Sequence, residues 1–315
     1  MMRARSVRRA FRPIAVSGVV GLLALGAVRA QVPSPAAPPA PATAATAASL
    51  IVGHTERALQ PGEAVVLTIR ASEPLAGATA SGMGTSWQAF PGPEPSTWLA
   101  LAGIDIDAKP GPAAIAVQAR TASGATLAAS VTLTVKPKVF PTRRLTVDPK
   151  FVTPPKSAMP RIQRDGELLA KAMAVRSPAR LWGAGFARPV PGAVISRFGV
   201  RSIFNGESRG SHRGTDFAGT TGTPVTAPAG GRVVLVDDLY FSGNTVVLNH
   251  GLGVFSLLCH LSKTAVKVGD VVTAGQVVGE VGATGRVTGP HLHWTARIGP
   301  AAVDPESLLA AVFPE

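Results

Sequence analysis

His291-Leu292-His293-Trp294-Thr295-Ala296-Arg297-Ile298 reads as a β-strand, with two histidines at i and i+2. Side chains on a strand alternate between faces, so His291 and His293 point one way and Leu292 enters a core. Upstream stands His212-Arg213-Gly214-Thr215-Asp216. The spacing of His212 and Asp216 would suit a helix, but Gly214 and a glycine-rich approach (Asn205-Gly206, Gly210-Ser211) predict a loop or a short extended segment. The stretch is not H-E-x-x-H, because no Glu lies between two histidines.

Together His212, Asp216 and His293 make a set of two imidazoles and one carboxylate. Three protein ligands with one open position is the pattern of a catalytic zinc site, whereas a structural site is closed by four. One carboxylate against a divalent ion leaves net positive charge, which acidifies bound water and polarises a carbonyl. The residues by themselves point to metal-assisted hydrolysis.

Three separated blocks occur in order: His212-x-Gly214-x-Asp216, Cys259-His260-Leu261-Ser262, and Thr284-Gly285-Arg286-Val287-Thr288-Gly289-Pro290-His291-Leu292-His293. They are accompanied by Ser196-Arg197-Phe198-Gly199, Gly222-Thr223-Pro224-Val225, Gly269-Asp270 and Gly275-Gln276. Over roughly residues 185–300 this pattern resembles the lysostaphin-type (LytM-domain) zinc metalloendopeptidases, which belong to the peptidoglycan hydrolases. The resemblance implies a β-sheet groove with loops as walls, Zn2+ as cofactor and peptidoglycan as partner. It also implies that His212, Asp216 and His293 hold the metal, that His291 acts as general base, and that His260 assists the oxyanion or the proton transfers. Imidazole suits proton exchange near neutral pH. Which of His260 and His291 takes the first proton is left open at this point. Some relatives with broken motifs regulate or activate another wall hydrolase without catalysing anything. That non-catalytic reading is the alternative, and the motif here is whole.

One position departs from the family. Relatives often carry Tyr where this chain has Leu258, two residues before His260. If that phenol donates to the tetrahedral intermediate, its loss would cost on the order of 10²–10³-fold in rate. Tyr240, the single tyrosine, is the residue that would stand in for it. Cys259, the single cysteine, excludes an internal disulfide and cysteine-based zinc modules, and on a strand it should face away from His260 as a buried thiol. His54 and His250 are read as structural.

The remaining sequence frames this site. At 315 residues, with 46% hydrophobic content, 34 glycines and 28 prolines, the chain suits two β-rich domains better than a helix bundle. Residues 1–30 read as a signal peptide: arginines 3, 5, 8, 9 and 12 precede an apolar run from Ile14 to Val28, and Val28-Arg29-Ala30 offers a cleavage site. Sec export is favoured over the twin-arginine route. An uncleaved leader would instead hold the chain at a membrane. Removing the six leader arginines takes the formal net charge from +13 to +7, which suits an anionic wall polymer. Nucleic acid is not expected, since no binding motif for it is present. The chain is therefore expected to be exported, to the periplasm or cell envelope; its oligomeric state is not encoded in any motif.

Residues 31–48 form a Pro/Ala-rich linker. Residues 49–137 alternate in short strands, such as Ala64-Val65-Val66-Leu67-Thr68-Ile69 and Ser130-Val131-Thr132-Leu133-Thr134-Val135, separated by turn signals. They predict an immunoglobulin-like β-sandwich with Trp87 and Trp98 filling its core. Residues 138–182 form a connector with a short amphipathic helix carrying Ile162, Leu168, Leu169 and Met173. That helix is read as packing on one domain, with cover over an active-site groove as the sharper alternative. Residues 183–315 form the metallopeptidase domain, an antiparallel β-sheet of hairpins. The expected fold class is thus mainly β, with a sandwich followed by a groove domain of lysostaphin type.

Overall fold

A computed structural model describes residues 48–146 and 153–313. The leader and nearly all of the Pro/Ala-rich linker lie outside the described residues. The fold is mainly β. In chain order the strands of the first part are β1 (Leu50–Glu56), β2 (Ala64–Ala71), β3 (Leu75–Gly82), β4 (Thr85–Gln88), β5 (Phe90–Pro91), β6 (Thr97–Gly103), β7 (Gly111–Thr121) and β8 (Thr126–Val135). They form two sheets, β1-β2-β6-β5 and β4-β3-β7-β8. Lettered A to G with β4 as C′, this is the ABED and C′CFG order of an immunoglobulin-type sandwich. Alternation decides it: Ile115, Val117 and Ala119 on β7 are buried, and the residues between them are exposed. Trp87 fills this core, whereas Trp98 is only half-buried.

The second part contains β9 (Thr142–Leu145), α1 (Met159–Met173), β10 (Val194–Ser196), β11 (Arg201–Phe204), β12 (Glu207–Ser211), β13 (Thr215–Ala218), β14 (Pro224–Thr226), β15 (Gly231–Leu239) and β16 (Gly243–Gly251). These are followed by β17 (Val254–Thr264), β18 (Val271–Val272), β19 (Val277–Val281), β20 (His291–Ile298), β21 (Ala301–Val303) and α2 (Pro305–Ala310). The main sheet runs β10-β13-β20-β17-β16-β15-β18, with β21 on β20 and β19 joining β17 to β14. The pairings that carry the site, β13 with β20, β20 with β17 and β17 with β16, are antiparallel.

Register tells which side chains share a face. Cys259 pairs with His293, Leu257 with Thr295 and Leu258 with Trp294. His293, Thr295, Leu257 and Cys259 therefore look one way, and Leu258 and Trp294 the other. α1 packs Ala172, Leu168, Leu169 and Met173 onto Leu235, Val247, Leu257 and Cys259. It thus lies on the same face of the sheet as the histidines and walls one end of that face. Asp165 fastens it, accepting the Tyr240 amide at 2.6 Å, while Arg161 and Arg164 pair with Asp238 and Asp237 at 2.8 and 2.7 Å.

The β11–β12 hairpin leads directly into His212. β9, from the connector, extends it by pairing parallel to β11, with Arg201 opposite Thr142. No strand is expected there from the sequence, because Thr142-Arg143-Arg144-Leu145 lacks apolar alternation. The apolar cores of sandwich and main sheet are continuous. Phe90 of β5 meets Trp182 and Phe313 with ring centroids 5.7 and 5.9 Å apart, and Gly103 leaves room for Ile298, Ala301 and Val303.

Candidate metal centre and catalytic groove

Asp216 on β13 stands directly opposite His293 on β20, and Ala218 stands opposite His291. His212 lies just before β13, after β12, in the loop its glycine predicts. Its backbone is clamped by His212 N to Val200 O at 2.9 Å and by Gly199 N to His212 O at 2.8 Å. Three side-chain atoms then converge. His212 Nε2 lies 3.0 Å from His293 Nδ1 and 3.0 Å from Asp216 Oδ1, and His293 Nδ1 lies 2.8 Å from Asp216 Oδ1. All three residues are partly buried. Bonds of 2.0–2.1 Å to a tetrahedral zinc would space such donors about 3.3 Å apart, so a few tenths of an ångström of opening admits the ion. Two imidazoles and a carboxylate are also the donor chemistry zinc takes. The residues fit the ion.

The other ring nitrogens have partners that fix the tautomers. His212 Nδ1 donates to Arg197 O at 3.0 Å, which leaves Nε2 free to ligate. His293 Nε2 meets Thr295 Oγ1 at 2.9 Å, and donation there leaves Nδ1 for the metal. His291 Nδ1 donates to Gly289 O at 2.9 Å, and its Nε2 points inward, 3.8 Å from Asp216 Oδ1. His260 Nδ1 donates to Thr284 O at 2.9 Å. Its ring sits 4.9 Å from that of His291 and 5.9 Å from that of His293. Four imidazoles thus each have one nitrogen anchored outward, and the structure brings them to one place.

His260 arrives by a device that the sequence does not advertise. Val246 pairs with Leu258 and Asn244 with Leu261, so β17 carries an extra residue against β16, a bulge. At the bulge His260 adopts φ = +64°, a left-handed conformation costing roughly 1 kcal/mol or more for a residue with a side chain. The bulge turns His260 onto the groove face beside Cys259's neighbours. Its amide is satisfied by Ser242 O at 2.8 Å.

Electrostatics follow from burial. Burial opposes ionisation of Asp216, but hydrogen bonds and charge from His212 and His293 hold its carboxyl well below the usual carboxylate range. Burial, and then the charge of His293, push His260 down to about 4, so its Nε2 is an unprotonated acceptor at neutral pH. Burial pushes the Cys259 thiol up to about 12, and the side chain lies under α1. It is an inert core residue.

The structure corrects the expectation about Leu258. This side chain is fully buried and pairs with Trp294 on the face opposite the groove. In this register a phenol at 258 would point into the core, away from any intermediate. Tyr240 does not stand in either: it packs against Phe241 and under Arg161 of α1. His250 is fully buried, donating from Nδ1 to Gly230 O at 2.8 Å and meeting Ser256 Oγ at 2.9 Å, while burial pushes its pKa down to about 4. His54 pairs with Glu56 at 2.7 Å on the sandwich.

Sequence reasoning missed the positioning groups. Arg197, Thr284, Gly289 and Thr295 orient the histidines; all four lie in stretches quoted above, but three act through backbone carbonyls, a role that no motif reports. Gly214 is different, since its signal was visible within the His212–Asp216 motif. A Cβ at 214 would lie 2.5 Å from Trp294 O and 2.7 Å from the His293 ring. Arg213, next to His212, pairs with Asp107 from a sandwich loop at 2.6 Å, so the sandwich touches the loop that carries His212 directly.

The fold and site define a β-sheet peptidase with a histidine- and aspartate-lined groove, and comparison with known proteins agrees. The model of peptidase family M23 matches residues 210–305. The crystal structure of a putative peptidase M23 from Pseudomonas aeruginosa is 32% identical, with a TM-score of 0.61 over 80% of this chain and 96% of that one. The chain belongs to peptidase family M23. Peptidoglycan DD-endopeptidase ShyA of Vibrio cholerae is 49% identical over 83 residues, 26% of this chain and 19% of that protein. DD-carboxypeptidase/endopeptidase Mpg of Neisseria meningitidis is 44% identical over 97 residues, 31% of this chain and 22% of that protein. The chain thus spans about a fifth of the length of these curated relatives.

Proposed function

We propose that the protein is an exported zinc endopeptidase that hydrolyses peptide cross-links of peptidoglycan in the cell envelope. The observation that carries this reading is the anchoring of four imidazoles around Asp216, each with one nitrogen tied outward and the other turned to the centre. The relatives named as peptidoglycan endopeptidases support the substrate class. His212 Nε2, Asp216 Oδ1 and His293 Nδ1 would hold the ion. When bound, zinc supplies a Lewis acid for a carbonyl and for water.

The chain's own residues do the rest. His291 donates from Nδ1 to Gly289 O, which turns Nε2 inward to take a proton from the attacking water. His260 Nε2, itself without a proton at neutral pH, sits across from it on the other side of the scissile amide and relays to the leaving amine the proton that His291 has taken up. The Thr284 and Gly289 carbonyls keep both rings in the tautomer that exposes Nε2. α1 confines an extended peptide above the sheet.

Paired substitutions test this. His291→Ala is expected to keep a full equivalent of zinc while losing about 10²–10⁴-fold in turnover, the range for a general base. His293→Ala is expected to lose both zinc and turnover. If both variants digest purified peptidoglycan at the parental rate, the roles are wrong.

A further inference from the structure

Trp98, expected in the sandwich core, packs against it only in part. It stands on β6 opposite Ile69 of β2 and Pro91 of β5, and it borders a cleft of about 420 Å³ formed with the facing sheet. Gln88, Gln118, Arg120, Thr79 and Thr126 line the same cleft. Its volume is that of a small-ligand site.

Register brings these groups together. Gln88, Thr79 and Gln118 stand side by side on β4, β3 and β7, and Gly77, Arg120 and Thr126 form the next row on β3, β7 and β8. Residues two apart on a strand share a face, so both rows look outward while Val117 and Ala119 turn to the core. β4 ends at Gln88, opposite Thr79, which leaves the edge of β3 open at Gly77. Glycine weakens a strand interior, and there it often marks the close approach of a ligand. Nothing in the fold demands glycine at 77. Its φ lies outside the left-handed range despite the register shift just before it, and a Cβ at 77 would meet no atom within 4 Å. A longer side chain would stand in the cleft.

The lining selects the ligand. It holds no carboxylate to draw a cation, and Arg120 is its one charge. Amides and hydroxyls donate and accept alike, which matches the hydroxyl and acetamido groups of amino sugars. An indole offers a flat apolar surface to the C–H face of a sugar ring. Beyond the cleft the face continues through Ser81, Ser86 and Ser130, exposed and uncharged, where soluble surfaces ordinarily mix charges. A polymer of such rings can lie along it.

We propose that this cleft binds the N-acetylated amino-sugar strand of peptidoglycan, with Trp98 against one ring and Gln88, Gln118 and Arg120 at its polar edge. The sandwich then holds the enzyme on the polymer whose cross-links the groove cuts. The choice of polymer rests on the peptidoglycan reading above.

The test uses the full-length zinc-loaded protein and peptidoglycan glycan strands stripped of their stem peptides, with binding read by calorimetry. The parent is expected to bind saturably. Gly77→Leu fills the cleft and is expected to bind at least ~10-fold more weakly. Its urea midpoint should stay level or rise, since glycine costs a strand. Gln118→Ala, on the exposed face and outside the core, should lose about 2–10-fold, the worth of one neutral hydrogen bond. No binding by the parent, binding only of strands that keep their stem peptides, or parental affinity in either variant overturns the site. Release of cross-link fragments from purified cell wall is followed with the parent in parallel. Glycan binding without release leaves the cleft standing and removes the hydrolase reading. Release without glycan binding does the reverse.

Discussion

At the scale of single residues, the centre depends on fine clearances as much as on ligands. Gly214 has no room for a methyl: a Cβ would meet the Trp294 carbonyl and the His293 ring at 2.5 and 2.7 Å. The backbone carbonyl cannot yield without breaking β20, so the ligand ring must. Gly214→Ala is therefore expected to lower zinc affinity at least ~10-fold, as loss of an orienting contact does, while the circular dichroism of the sheet is kept. Equilibrium titration with a chelator reads this directly, and parental affinity would refute the packing argument. The sequence displays the candidate site residues themselves: an i, i+2 pair of histidines on a strand must share a face, and His212 with Asp216 flanks a glycine that has no room for a side chain. It does not display what orients them, because Arg197, Thr284 and Gly289 act through carbonyls that every residue type possesses.

Among the elements, β17 shows where reading by alternation succeeds and where it stops. Strict period two puts Cys259 and His260 on opposite faces and Leu258 with His260. The first half of β17 obeys it, burying Cys259 under α1 and Leu258 against Trp294. The bulge then adds one residue, and His260 crosses to the groove face at φ = +64°. Neither glycine nor asparagine marks that left-handed position, so the shift was invisible in the sequence, and with it the true orientation of residue 258. Leu258→Tyr is accordingly expected to give no gain in turnover and to lower stability by about 1–3 kcal/mol, the cost of overpacking a filled core. Activity and urea unfolding on one preparation decide it. A tenfold faster variant would show that 258 reaches the groove. β9 was missed for another reason: an edge strand that pairs with a hairpin needs backbone partners, not an apolar face.

On the scale of the whole molecule, sandwich and groove are held together by a shared apolar core and a buried ion cluster. Arg57 of the sandwich donates to Glu63 at 2.8 Å and to Asp304, the cap of α2, at 2.7 Å, and Lys138 adds a contact to Glu63 at 3.2 Å. Glu63 is almost fully buried, so removing Arg57 strands a carboxylate. Arg57→Met should cost roughly 2–3 kcal/mol, below the 3–5 of a fully buried pair because Arg57 is itself over a third exposed. A shift of the urea midpoint measures it, and no shift would mean that the cluster is only decorative. Acid should weaken the molecule through His250. Its folded pKa of about 4 lies below the ordinary 6.5, so its stabilising contribution is complete above pH 6.5 and is lost as pH falls toward 4. Between pH 7 and pH 5 this amounts to about 2 kcal/mol. His250→Gln should flatten the pH dependence by that amount; an equally steep variant would assign the acid sensitivity elsewhere. The mainly β class and the succession of sandwich and groove were legible from alternation and turn spacing. Their common core was not, because Phe90, Trp182 and Phe313 are far apart in sequence and carry no pattern.

The proposed zinc site of His212, Asp216 and His293 is where peptidoglycan cross-links would be cut. Its most direct test is to strip the purified protein with a chelator, restore one equivalent of zinc, and follow soluble products released from purified cell wall by mass spectrometry at each stage. Release that stops on stripping, returns with zinc and yields products cleaved within the peptide cross-link is the expected result. Release unaffected by stripping, or products cleaved only in the glycan, would contradict it.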